Sequence, residues 1–113
     1  SSTSPPDIYA LDLASLAVTR WTFSEIRGLQ EARLVEPELI HYPTFDSING
    51  KPRMISALVY LPKGEGPFPV LVSLHGGPAG QSRPDFSMDT KVIQYQVNEL
   101  GIAVIQPNVR GSS

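Results

Sequence analysis

Val70-Leu71-Val72-Ser73-Leu74-His75-Gly76-Gly77-Pro78 is the stretch that decides the fold. Its first five residues make an almost unbroken apolar run of strand length with β-branched members. That pattern suits a strand covered on both faces, as in a parallel sheet, so a buried central strand is predicted. Two glycines follow at once, where a chain leaving such a strand can turn sharply because no Cβ stands in the way.

Downstream, Asp89 to Leu100 reads as a helix. Ile93, Val97 and Leu100 recur at i, i+4 and i+7, Asp89 is placed to cap the start, and Gly101 stands where a helix-ending glycine belongs. Ile102-Ala103-Val104-Ile105-Gln106 is a second apolar strand. Strand, helix and strand in that order predict a βαβ unit with its two strands parallel in one sheet. The link from His75 to Met88 is fourteen residues long, whereas such connections usually take about 2–6. A loop this long at the carboxyl end of a parallel strand lies where open α/β sheets bind ligands.

Upstream, Glu38 to Phe45 and Arg53 to Pro62 are strand-like runs joined by Asp46 to Pro52, in which Asn49-Gly50 supplies the positive φ angles of a tight turn. This predicts a β-hairpin, and Pro43 in its first run points to an edge strand, since proline lacks a ladder donor. Further back, Ile8 to Leu13 and Ala17 to Thr22 are separated by Ala14-Ser15-Leu16 and predict another hairpin. Two strands alone bury too little surface to stand by themselves. Ser24 to Glu36 reads as a polar connector with room for a short helical turn, and Trp21 is expected in a core or an interface.

The glycine loop is the candidate for chemistry. Backbone N–H groups there can stabilise the oxyanion of an acyl-transfer intermediate, and losing one such donor costs about 2.7–4 kcal/mol of barrier. In α/β-hydrolases a glycine-rich segment after an early strand supplies half of that oxyanion hole. A plain glycine turn is the other reading of the same residues. Arg110 follows the second parallel strand on the same edge, where it can bind a carboxylate or brace a loop. Asp85 and Asp89 lack a third ligand or a nearby histidine, so no metal is expected.

Hydrophobic residues make up 41% and charged residues 18% of the 113, an ordinary globular composition, and the formal net charge is -2. With Lys and Arg scattered, nucleic acid is not an expected partner. No apolar run approaches the ~20 residues of a spanning helix, so no membrane is expected either. Cysteine is absent, which removes disulfides and a thiolate nucleophile from consideration and leans the compartment to the cytoplasm. The opening Ser1-Ser2-Thr3-Ser4-Pro5-Pro6 has no signal-peptide pattern, and both chain ends read as cut points.

His75-Gly76-Gly77-Pro78, then Gln81 to Phe86, then Gly101-Ile102-Ala103-Val104-Ile105-Gln106-Pro107-Asn108-Val109-Arg110-Gly111-Ser112-Ser113 together resemble the start of the catalytic domain of the prolyl oligopeptidase family, nearest its acylaminoacyl-peptidase and dipeptidyl-peptidase branches. Phe45 to Pro62 is similar to that family's first hairpin. The resemblance implies an α/β fold: the amino-terminal part of an α/β-hydrolase sheet over residues 37–113, a β-hairpin followed by a βαβ unit, preceded over residues 1–36 by the closing strands of a β-propeller and a connector.

By the same resemblance the parent is a serine peptidase acting on short peptides without a cofactor. His75, Gly76, Gly77 and Pro78 form its oxyanion-hole loop, Gly77 is the first choice of donor, Gly76 shapes the turn, and His75 braces the loop rather than moving protons. No Gly-x-Ser-x-Gly occurs in the chain. The sequence thus stops short of the nucleophile elbow, and the isolated chain is expected to be inactive. His41 is a surface residue in this view. An esterase-type hydrolase or a stand-alone peptide-binding module are the alternatives. A fragment of a larger sheet is expected to self-associate or swap strands.

Overall fold

The computed structural model describes residues 2–26, 33–77 and 79–112. Residues 27–32 of the Ser24 to Glu36 connector, and Pro78 of the glycine loop, lie outside the described residues.

Two sheets form. The smaller pairs β1 (Tyr9–Leu11) with β2 (Val18–Arg20) antiparallel, with Tyr9 opposite Arg20. Both strands are shorter than their apolar runs, because Asp12 takes over the link. Its carboxylate accepts from the Ala14 and Ser15 amides, its carbonyl accepts from Leu16, and Leu16 adopts φ +58°. An Asp bonding amides two and three residues on is a local turn device that competes with the ladder. Trp21, expected in a core or an interface, is 69% exposed.

Asp7 ties the segment before β1 to the one after β2. It accepts from the Ser24 amide and the Thr22 hydroxyl, each at 2.9 Å, and pairs with Arg20. Burial opposes ionisation of Asp7, but these hydrogen bonds outweigh it and hold its carboxyl at about 2. An unfolded Asp binds its proton near pH 3.9, so the folded state is favoured above that pH, and the advantage disappears as pH falls through about 2. Amide chemical shifts of β1 and β2, followed from pH 5 down to pH 2, are expected to move toward random-coil values within that window in the wild type. In Asp7→Asn the step is expected to shrink to the part left by Asp12, whose carboxyl the Ser15 and Ala14 bonds also hold below its usual value.

The larger sheet has the order β3-β4-β6-β5, from β3 (Glu38–Ile48), β4 (Lys51–Tyr60), β5 (Val70–Val72) and β6 (Ala103–Pro107). Here the turn is tighter than its sequence suggests. Asp46 to Ile48 and Lys51-Pro52 belong to the strands, and Asn49 and Gly50 alone turn the chain at φ +53° and +75°. Positive φ at both central residues is what a two-residue hairpin turn with matching twist requires. Pro43 does lie in an edge strand, and a register shift follows between Pro43 and Ser47.

β5 and β6 run parallel, with Leu71 opposite Val104, and α1 (Met88–Asn98) lies between them in sequence. Ser87, not Asp89, caps α1: its side chain accepts from the Thr90 amide, leaving Asp89 in the first turn, where its charge favours the positive end of the helix. The buried stripe is Thr90, Ile93, Gln94 and Val97. Leu100 falls beyond the helix end and is exposed, while Gly101 takes φ +65°. Alternation puts Leu58 and Tyr60 of β4 on one face together with Val104 of β6, and Ile93 and Val97 pack against them to make the core. Gln94 joins the earlier chain to this core, donating to the Val35 carbonyl at 2.7 Å and accepting from its amide at 2.9 Å.

The expectation of a buried central strand fails. β5 is neither central nor covered, being three residues long, at the end of the sheet, with Val70 66% and Val72 58% exposed. The apolar pattern reports the surroundings a strand is suited to. It does not report its place in the sheet order, which pairing with β6 alone decides here.

Candidate active-site loop

Parallel pairing brings the two loops of interest to one edge. β5 and β6 both end there, and the Ser73 amide extends the ladder by one bond to the Ile105 carbonyl at 2.9 Å. Residues 73–87 then leave from β5, and residues 108–112 leave from β6 beside them.

Within the first loop the glycines are not equivalent. Gly77 has φ +106°, a backbone conformation that a side chain strains. Gly76 lies outside that region and has open space where a Cβ would stand, so the turn it was expected to shape is made at Gly77. A third glycine is required by close approach. A Cβ on Gly80 would lie 2.6 Å from the Gly76 carbonyl oxygen and 3.2 Å from His75 Nδ1.

Both ring nitrogens of His75 are engaged inside the chain. Nδ1 lies 3.1 Å from the Gly76 carbonyl, and Nε2 lies 2.7 Å from Ser112 Oγ, which is also within 2.6 Å of the Val109 carbonyl. An imidazole held on both sides orients a loop and has no free nitrogen to offer a substrate. Asn108 makes the second tie, bonding the amide and carbonyl of Ser82.

Arg110 points away from the glycine loop, toward the irregular part of β3. Its Nη1 lies 2.7 Å from Asp46 Oδ2, and its guanidinium sits 5.4 Å from the centre of the Phe45 ring. Arg53 adds a contact to the same carboxylate at 3.4 Å. The Thr44 hydroxyl does most to hold the Asp46 carboxyl below its usual range, working against burial and assisted by Arg110 and Arg53. His41, as read from sequence, is an exposed residue of β3.

Beneath the loop lies a polar cavity of about 200 Å³, walled by Ser73, His75, Gly76, Arg83, Asp85 and Gln106 among others. Asp85 and Ser87 also wall a larger cleft of about 560 Å³, whose opposite side is Ser4 to Asp7 with Tyr9. Asp85 acts on the core as well. Burial raises the phenol of Tyr60 above its usual value, and the Asp85 carboxylate adds to that rise.

Gly80, Ser82, Asn108 and Ser112 were not singled out by sequence reasoning. All four lie inside or beside the quoted motifs, and the third glycine of the loop was the available signal for Gly80.

No protein-family model and no curated protein matches the chain. Solved structures do. A puromycin-hydrolyzing peptidase of Mycobacterium tuberculosis is 25% identical with TM-score 0.69, the match covering 96% of this chain and 17% of that one. The acylaminoacyl peptidase of Pyrococcus horikoshii is 20% identical with TM-score 0.70, over 99% of this chain and 16% of that one. An acylaminoacyl peptidase in complex with Z-Gly-Gly-Phe-chloromethyl ketone is 24% identical with TM-score 0.61, again over 99% and 16%. The chain therefore spans about one sixth of the length of the structures it matches. Over nearly its whole length it is similar to peptidases of the prolyl oligopeptidase family.

Proposed function

We propose that this chain is part of a serine peptidase that hydrolyses short peptides by acyl transfer, and that it contributes the oxyanion-hole loop. In this reading residues 1–36 close a β-propeller-like domain, and residues 37–113 begin an α/β-hydrolase domain whose nucleophile, acid and base lie elsewhere in the protein. The carrying observation is the place of Gly77: its positive φ turns the backbone at the carboxyl edge of two parallel strands, in a chain whose similar structures are peptidases. A main-chain N–H held there is suited to a tetrahedral oxyanion, which needs donors fixed in advance rather than recruited. His75 and Gly80 act through the loop's shape, and Arg110 through its hold on Asp46.

The test uses the full-length protein that carries this sequence. It is expected to cleave short chromogenic peptides and to be labelled by a fluorophosphonate on a serine of a Gly-x-Ser-x-Gly outside residues 1–113. The 113-residue chain is expected to do neither. Absence of both cleavage and label in the full-length protein would remove the reading.

A further inference from the structure

The segment after β6 makes attachments in several directions within a few residues. The Asn108 amide donates to the Ser56 carbonyl of β4 at 2.9 Å. Its carboxamide faces the long loop, where Oδ1 accepts from the Ser82 N–H at 2.8 Å and Nδ2 donates to the Ser82 carbonyl at 3.1 Å. Two residues on, Arg110 anchors to Asp46, and Ser112 reaches His75. The chain from 108 to 112 thus binds the irregular part of β3 on one side and the glycine loop on the other.

We propose that Asn108 is a positioning residue, whose carboxamide clasps the backbone of Ser82 and thereby fixes the glycine loop, Gly77 included, against the end of β6. The inference deepens the peptidase reading and rests on it for its catalytic consequence. A carboxamide carries a donor and an acceptor side by side, as a peptide group does, so it can bond the N–H and the C=O of one residue together. The reverse orientation of the amide would set oxygen against oxygen, so only one flip satisfies the site. One partly exposed hydrogen bond contributes little, but two on a rigid fork also set direction. The clasp at residue 82 and the His75–Ser112 bond bracket the Gly76–Gly80 turn from both ends. A loop held at both ends keeps its amides in place before any substrate arrives.

The experiment is ¹⁵N relaxation on the 113-residue chain, wild type against Asn108→Ala and Asn108→Asp. In N108A the order parameters of Gly77, Gly80 and Ser82 are expected to fall from roughly 0.85 to about 0.6 or lower, with those of α1 unchanged. N108D replaces the donor with a carboxylate oxygen set against the Ser82 carbonyl, so it is expected to loosen the loop at least as much as N108A. Unchanged loop order in N108A overturns the proposal, as does equal loosening of loop and helix. Should N108A fail to fold, N108D decides alone: loosening confined to residues 77–82 supports the clasp, and wild-type order overturns it. In the full-length protein, N108A is expected to lower kcat about tenfold with KM unchanged. An unaltered kcat overturns the positioning role. A full-length wild type without peptidase activity sinks the peptidase reading instead, while the relaxation result still judges the clasp.

Discussion

Gly80→Ala is expected to force the glycine loop open. The new methyl carbon would stand 2.6 Å from the Gly76 carbonyl oxygen and 3.2 Å from His75 Nδ1, and neither can yield cheaply. The carbonyl is backbone, and the ring is held by Ser112 on its far side. Overpacking of this kind typically costs about 1–3 kcal/mol, and here it displaces the segment that carries Gly77. Gly76→Ala is the matched control, since open space surrounds its Cβ position and its φ needs no glycine. Urea unfolding of the two variants is therefore expected to separate them by about 1 kcal/mol or more. In the full-length protein, kcat/KM is expected to fall about tenfold or further for G80A alone. Equal behaviour of the two variants would show that close approach at residue 80 does not shape the loop.

The largest effect on stability is expected from Leu58→Ala. Leu58 is 4% exposed and sits with Tyr60, Val104, Ile93 and Val97 in the core cluster, so truncation thins that cluster and leaves a cavity. Leu→Ala in such a place costs about 2–5 kcal/mol, a large part of the ~5–15 kcal/mol that holds a domain folded. Thermal unfolding followed by circular dichroism is expected to shift down by roughly 8–20 °C, at about 4 °C per kcal/mol. Leu39→Ala, in register with Leu58 on the edge strand but exposed, is expected to shift it by less than a quarter as much. A comparable fall for both would place the core elsewhere.

Where local chemistry alone fixes the backbone, the sequence was readable. Asn49-Gly50 demanded a tight turn, Pro43 demanded an edge, and the Val70 and Val104 runs demanded strands with a helix between them. Competition between neighbours was harder to read. Ser87 and Asp89 are both capping residue types two positions apart, and the Thr90 amide decides for Ser87. In the first hairpin the Asp12 carboxylate takes amides that a ladder would otherwise use. In the candidate loop, the bend at Gly77 was legible because two glycines directly follow an apolar run. Asn108 and Ser112 were not, because their partners are 26 and 37 residues away, and no spacing rule joins a carboxamide to a loop at that distance. Arg110 was read as a brace or an anion binder, and its partner, Asp46, lies 64 residues earlier.

The bare flank of β5 has a bearing on how the chain is handled. Among the described residues β5 pairs with β6 alone, and Val70, Val72 and Leu74 are exposed, so the strand is expected to be a template for an extended segment. A short β-strand peptide offered in excess is expected to occupy that flank, and dilution is expected to keep copies of the chain apart.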